Sequence, residues 1–291
     1  MTFYDMPLYR PPSEGDNLIV QATLGCSFNQ CSFCSMYKSK EYRARPLEDV
    51  FRDIDILARH RPQAHRVFLA DGDALVLDMD SLRAILDKLA ATFSDLQRVT
   101  CYATPQNILK KSEEELRELI ARRLTLVYLG IESGSDVMLK RITKGSAKQM
   151  RMALEKARAV GLKVSATVIL GLGGRKHWQE HIEETAALIN QAPPNFLSTL
   201  QLHLDPEVSP RFHERFGEPF AAQDDRAILR EQRLLLERLD PPNPVIFRSN
   251  HASNCLPLAG TLPKDRDKLL AIVDAALQGQ QKLRPLLLRG L

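Results

Sequence analysis

Three cysteines, Cys26, Cys31 and Cys34, fall within nine residues in the segment Cys26-Ser-Phe-Asn-Gln-Cys31-Ser-Phe-Cys34. The spacing is C-x4-C-x2-C, so three thiolates on one short loop can converge on a single metal ion or cluster. On a four-iron, four-sulphur cube they hold three irons. The fourth iron then has no cysteine and is open to a small chelating ligand. A structural zinc ion wants a fourth protein ligand. No histidine lies close by, since His60 and His65 belong to the next helix and strand. A zinc loop completed by a distant residue stands as the second reading. Buried, inert thiols are not expected to cluster in this way.

Further polar motifs follow apolar runs. Asp71-Gly72-Asp73 comes directly after Arg66 to Ala70 (RVFLA). Either carboxylate can accept a charge-assisted hydrogen bond from an ammonium group; the same residues also favour a turn. Gly130-Ile-Glu132-Ser133-Gly134 ends the run Leu124 to Ile131, with Lys144-Gly145 downstream. Ser165 and Thr167 precede Gly171-Leu172-Gly173-Gly174, where glycines permit close approach of backbone to a ligand. This stretch has neither a dinucleotide fingerprint nor a Walker phosphate loop. Candidate substrate groups are Tyr102 and Thr104, His203, and Arg248, Asn250, His251 and Asn254 in the stretch RSNHASN. His251 is a candidate for proton transfer or a structural histidine. The isolated Cys101 and Cys255 are read as small buried hydrophobes, with a hydrogen-donating thiol as the alternative for either.

These residues need elements to position them. Strand-like runs cover Asn17 to Leu24, Arg66 to Ala70, Arg98 to Tyr102, Leu124 to Ile131, Lys163 to Leu170 and Asn195 to His203. Helical spacing covers Pro46 to Ala58, Ser81 to Thr92 with Ser81 as cap, Ser112 to Arg122 with a Ser112–Glu115 capping box, Ala147 to Val160, and about His177 to Asn190. About six strand–helix units result, with the buried-type strands of a parallel sheet. Functional residues then belong just beyond the C-terminal strand ends. After His203 a Pro- and charge-rich connector spans Asp205 to Asp225. A helical run to Leu239, a further strand at Val245 to Arg248 and a helix at Pro263 to Leu277 complete the chain.

Composition narrows the class. The 291 residues are 44% hydrophobic and 26% charged, an ordinary globular mixture. A net charge of +4 permits an anionic partner but implies no nucleic acid. An odd count of five cysteines, and an opening MTFYDMPLYRPPSEGDNL that is polar and proline-bearing, argue against a secreted disulfide scaffold. No membrane span is expected, and the expected location is the reducing cytoplasm.

Gly25 to Tyr37 (GCSFNQCSFCSMY) resembles the cluster loop of the radical S-adenosylmethionine (SAM) superfamily, with one residue more than the usual C-x3-C-x2-C. The resemblance covers about residues 17 to 204. It implies a partial (β/α)6 TIM-like barrel of the α/β class over 17–204, preceded by an N-terminal segment (1–16) and followed by a C-terminal extension (205–291). It also implies that Cys26, Cys31 and Cys34 ligate three irons of a 4Fe-4S cluster, while the amine and carboxylate of SAM chelate the fourth. Phe33 matches the aromatic position near adenine, and Gly72 and Asp73 stand where the family recognises the SAM amine. Glu132, Ser133, Ser165 and Gly171 fall where it surrounds the cofactor. Tyr102, His203 and His251 are the candidate catalytic groups. The implied reaction is reductive cleavage of SAM to a 5'-deoxyadenosyl radical that takes hydrogen from a small metabolite or cofactor precursor. The electron would come from a low-potential donor of flavodoxin or ferredoxin type. Modification of tRNA or another RNA, and a non-catalytic iron–sulphur or zinc protein, are the alternatives.

Overall fold

The computed structural model describes residues 4–289. The outermost parts of the expected N-terminal segment and C-terminal extension, residues 1–3 and 290–291, lie outside the described residues. In chain order the elements begin with β1 (Leu18–Gln21), β2 (Thr23–Leu24), β3 (Arg43–Ala44), α1 (Leu47–His60), β4 (Arg66–Ala70) and α2 (Met79–Thr92). Next come β5 (Arg98–Ala103), α3 (Pro105–Lys110), α4 (Glu113–Ala121), β6 (Leu124–Glu132), α5 (Asp136–Arg141) and α6 (Ala147–Val160). The remainder are β7 (Lys163–Leu170), α7 (Gly174–Gln191), β8 (Phe196–Gln201), α8 (Ser209–Phe216), α9 (Asp225–Arg238), β9 (Val245–Arg248), β10 (Ala259–Leu262) and α10 (Arg266–Leu277). The fold is α/β, with mostly parallel strands.

The chain forms two compact units. The first comprises the described residues through Asn29, Met36–Leu129 and Glu155–Val164. Here β1, β4, β5 and β6 pair in parallel, in that order. Val67, Phe68 and Leu69 on β4 are fully buried, as expected for a strand covered on both faces. The helix α1 packs on α2. The second unit comprises Gln30–Ser35, Gly130–Leu154 and Ser165 onward. In it β7, β8 and β9 pair in parallel, and β10 closes antiparallel onto β9. The helix α9 packs on α7 and α10.

Several elements differ from the sequence reading. The cap of α2 is Asp78, not Ser81: the Asp78 carboxylate accepts from the Ser81 amide at 2.8 Å and its hydroxyl at 2.8 Å. A carboxylate at that position also suits the positive end of the helix dipole. The connector from Asp205 to Asp225 contains α8, whose Phe212 and Phe216 are buried and which stops at Gly217 in the left-handed conformation. Four glycine-turn residues do not delay α7, which starts at Gly174 and not near His177. The short α3, β3 and β10 have no counterpart in the reading. By contrast, the Ser112–Glu115 capping box closes reciprocally, at 3.1 and 2.6 Å.

Candidate active site

In the first unit, the loop after β4 grips the chain on both sides of Cys26. Asp71 is fully buried, and its carboxylate accepts from the Gly25 amide at 3.1 Å, the Gln21 side chain at 3.1 Å and Lys40 Nζ at 3.0 Å. Asp73 is also fully buried and accepts from the Ser27 amide at 2.9 Å and from the Ser27 hydroxyl. Between them the Gly72 amide donates to the Gly25 carbonyl at 3.0 Å. A Cβ on Gly72 would stand 2.7 Å from Cys26 Cβ, so only glycine lets the two backbones approach this closely. Asn29, within the four residues that separate Cys26 from Cys31, takes φ 38°. Its side-chain amide donates to the Tyr37 carbonyl at 2.8 Å. Asparagine tolerates this left-handed turn better than most residues, which accommodates the longer C-x4-C spacing. Tyr102 is half-buried, with its ring edge-on to Phe68 at 5.2 Å and to Tyr128 at 6.0 Å.

In the second unit, the segment carrying Cys31, Phe33 and Cys34 rests against the end of α5. The amide of buried Ser32 donates to the Ile142 carbonyl at 3.0 Å. On its other side Arg211 of α8 donates to the Gln30 carbonyl at 3.3 Å and side-chain oxygen at 2.9 Å. Glu132, at φ 64° and 6% exposed, ends β6 and lies 3.2 Å from Lys144 Nζ. Burial opposes the Lys144 charge, but the fields of Cys31, Glu132 and Cys34 outweigh it and hold its pKa above the ordinary lysine value. The Lys144 ammonium is held by Glu132, within range of the electrostatic influence of Cys31 and Cys34.

A buried network joins the ends of β6 and β7. His181 on α7 has Nδ1 2.7 Å from the Ser133 hydroxyl and Nε2 3.0 Å from the Ile169 carbonyl. Burial pushes its pKa down to about 4, so the ring is neutral near pH 7. Neutral His181 donates from Nε2 to the carbonyl and accepts at Nδ1 from Ser133, which itself accepts from the Ser135 amide at 3.0 Å. One turn on, Thr185 accepts from the Gly134 amide at 2.7 Å. Gly171, at φ 85°, donates its amide to Glu231 of α9 at 2.6 Å. Burial raises the Glu231 pKa to about 8. Ser165 lies half-buried on β7.

The remaining candidates have local partners. His203, 41% exposed, has Nε2 3.3 Å from Asp205. His251 has Nδ1 2.8 Å from the Ser253 hydroxyl, and burial lowers its pKa. Asn254, 2% exposed, is a brace: it donates to the Thr199 carbonyl at 2.7 Å and the Ser249 hydroxyl at 2.9 Å, and accepts from the Gln201 amide at 2.7 Å. Tyr102 belongs to the first unit, His203 and His251 to the second. His181 and Glu231 were missed by sequence reasoning; a lone histidine or glutamate on an amphipathic helix carries no local mark of such a role.

Among the described residues, no three histidine, cysteine or carboxylate side chains converge as a group that could hold a bare metal ion. The donor set still fits a cluster ligated by cysteines: three thiols lie on one loop, with the backbone around Cys26 clamped and Gly72 leaving room beside it. A mostly parallel α/β fold that carries three thiols at a strand end defines the class of site. Residues 20–189, more than half the chain, match the Radical SAM superfamily, and the chain belongs to that superfamily of enzymes. Members of the superfamily use a 4Fe-4S cluster and SAM. A protein of Methanocaldococcus jannaschii assigned as a methylthiotransferase is 28% identical over 167 residues, covering 54% of this chain and 36% of the relative. The tRNA-2-methylthio-N(6)-dimethylallyladenosine synthase of Hydrogenovibrio crunogenus is 26% identical over 255 residues, covering 80% of this chain and 48% of the relative. The chain thus spans about half or less of these curated relatives. The radical SAM coproporphyrinogen III oxidase of Escherichia coli shares the fold, with TM-score 0.58 and 16% identity over 76% of this chain and 52% of that one.

Proposed function

We propose that Cys26, Cys31 and Cys34 hold a 4Fe-4S cluster at which this enzyme cleaves SAM, and that its substrate is a small metabolite or cofactor precursor. When bound, the cluster and SAM would supply reductive cleavage of a sulphonium carbon–sulphur bond, with one electron drawn from a low-potential donor, and radical hydrogen abstraction from the substrate. The observation that carries the reading is the double clamp on the backbone beside Cys26, from Asp71 to Gly25 and from Asp73 to Ser27. It holds the backbone that carries the first thiol of the motif, which is the preorganisation a cluster site needs.

The other residues take roles around that loop. Gly72 and Asp73 flank the position of the SAM amine. Lys144 supplies positive charge beside Cys31 and Cys34 and, released in part from Glu132, a partner for the SAM carboxylate. Phe33 stacks near adenine. Glu132, Ser133, Ser165 and Gly171 shape the cofactor wall: His181 bonds the Ser133 hydroxyl, Ser165 lies on β7, and Glu231 holds the Gly171 amide. Tyr102, His203 and His251 face the substrate or move its protons. Residues 17–204 form the catalytic core and 205–291 an extension packed on it, fed by a low-potential donor of flavodoxin or ferredoxin type.

The names of the curated relatives favour a second reading, modification of tRNA. Sulphur insertion from a second cluster held by three cysteines has no ligands in these 291 residues, because only Cys101 and Cys255 remain. After anaerobic reconstitution, Cys26→Ala, Cys31→Ala and Cys34→Ala should each lose most bound iron and sulphide, while Cys101→Ala and Cys255→Ala keep wild-type amounts. Zinc in place of iron, or iron unchanged in the loop variants, would reject the reading. Tight tRNA binding that weakens steeply with salt would move the substrate assignment to RNA.

A further inference from the structure

The sheet of the second unit has two unlike faces. Ala166 and Val168 on β7, Leu197 on β8 and Phe247 on β9 are all 0% exposed. Their alternate neighbours point to the opposite face and, apart from the buried Ile169, are half-buried or exposed. Register lines up three of these side chains: Thr167 pairs with Ser198, and Ser198 pairs with Arg248. Two residues lower on the same face stand Ser165, Phe196 and Ile246, and two residues higher stand Ile169 and Leu200. A hydroxyl, hydroxyl, guanidinium row therefore crosses three strands between apolar side chains.

None of the three polar groups is used up by the protein. Among the described residues the hydroxyls of Thr167 and Ser198 make no hydrogen bond, and Arg248 pairs with no carboxylate. Arg248 donates only through Nη1, to the Phe247 carbonyl at 2.8 Å and the Gly260 carbonyl at 3.3 Å. Those two bonds fix the guanidinium and leave its Nε–Nη2 edge, the fork that matches an anion in bidentate fashion.

We propose that this row binds the anionic group, carboxylate or phosphate, of a small substrate whose body is apolar. Arg248 takes the anion, Thr167 and Ser198 donate to it or to an adjoining polar atom, and Phe196, Ile246 and Leu200 cover the body. The proposal rests on the small-molecule reading above and names the chemistry of its substrate. A single cation between hydroxyls and apolar side chains suits one anionic group, not a polyphosphate backbone, which calls for several cations.

The test is ligand-observed NMR on the reconstituted, SAM-loaded chain with three probes of equal body: hexanoate, hexyl phosphate and 1-hexanol. At least one anion should bind about tenfold tighter than the alcohol, the gain expected of a charge-assisted pair. Arg248→Gln should abolish that preference, Arg248→Lys should keep part of it, and Thr167→Val should weaken it about threefold or less. Hexanoate alone or hexyl phosphate alone showing the gain identifies the head group. Equal binding of alcohol and anions, no binding of any probe, or a preference that survives Arg248→Gln overturns the proposal. Formation of 5'-deoxyadenosine is measured in the same samples. SAM cleavage without anion preference sinks the row alone; anion preference without SAM cleavage sinks the catalytic reading alone.

Discussion

Asp71 and Asp73 divide one task at the residue scale: each spends its carboxylate on a backbone amide next to Cys26, at Gly25 and at Ser27. Their order around Gly72 was legible as an acidic loop at a strand end. The partners were not, because a contact between residues about fifty apart leaves no local pattern. His181 was equally hidden, and it makes a sharp pH prediction. Folded, it stays neutral down to about 4; unfolded, it takes a proton near 6.5. Between those values the unfolded chain binds more protons, so stability is fully present above 6.5 and is lost as pH falls towards 4. The slope is at most about 1.4 kcal/mol per pH unit. In denaturant titrations, the stability advantage of wild type over His181→Gln should be largest above pH 6.5 and shrink by pH 4. A constant difference across that window would contradict a buried neutral histidine.

The elements were read best where burial dictates composition. RVFLA and LTLVYLGI are strands whose residues are mostly apolar, because both faces are largely covered, whereas KVSATVIL alternates over most of its length between buried apolar residues and the half-buried Ser165 and Thr167. The reading failed where tertiary contacts make the element: the two-residue β3, β10 with its sequence AGTL, and α8 inside a proline-bearing charged stretch. Of the candidate site, the cysteine loop and the strand-end turns were legible; the network behind them was not. Two predictions belong here. Gly72→Ala places a methyl group 2.7 Å from Cys26 Cβ, so the β4 turn and the cysteine loop must separate. Iron content after reconstitution should fall several-fold in a chain that remains folded; wild-type iron would show that the close approach is dispensable. Asn254→Ala strips the Thr199 carbonyl, the Gln201 amide and the Ser249 hydroxyl of a buried partner. It should lower the unfolding free energy by about 2–3 kcal/mol, measured in urea; a loss under about 0.5 kcal/mol would mean the β8–β9 brace is idle.

At the scale of the whole molecule, the two isolated cysteines differ from the three on the loop. Cys101 and Cys255 are buried, and burial pushes their pKa values up to about 12 and about 11, far from a ligating thiolate. The first compact unit holds Cys26 and the two aspartates that clamp its backbone; the second, taken by itself, holds Cys31, Cys34, Lys144 and the Thr167–Ser198–Arg248 row. The residues after 204, which offered no recognisable motif, supply Glu231 behind Gly171 and Arg248 to the open sheet face. No described helix is long and apolar enough to cross a membrane. The most direct measurement is the formation of 5'-deoxyadenosine from SAM by the anaerobically reconstituted chain after one-electron reduction. Wild type should form it, and Cys34→Ala should form none above the protein-free background. A fully cluster-loaded wild-type chain that binds SAM and yields no 5'-deoxyadenosine would contradict the account.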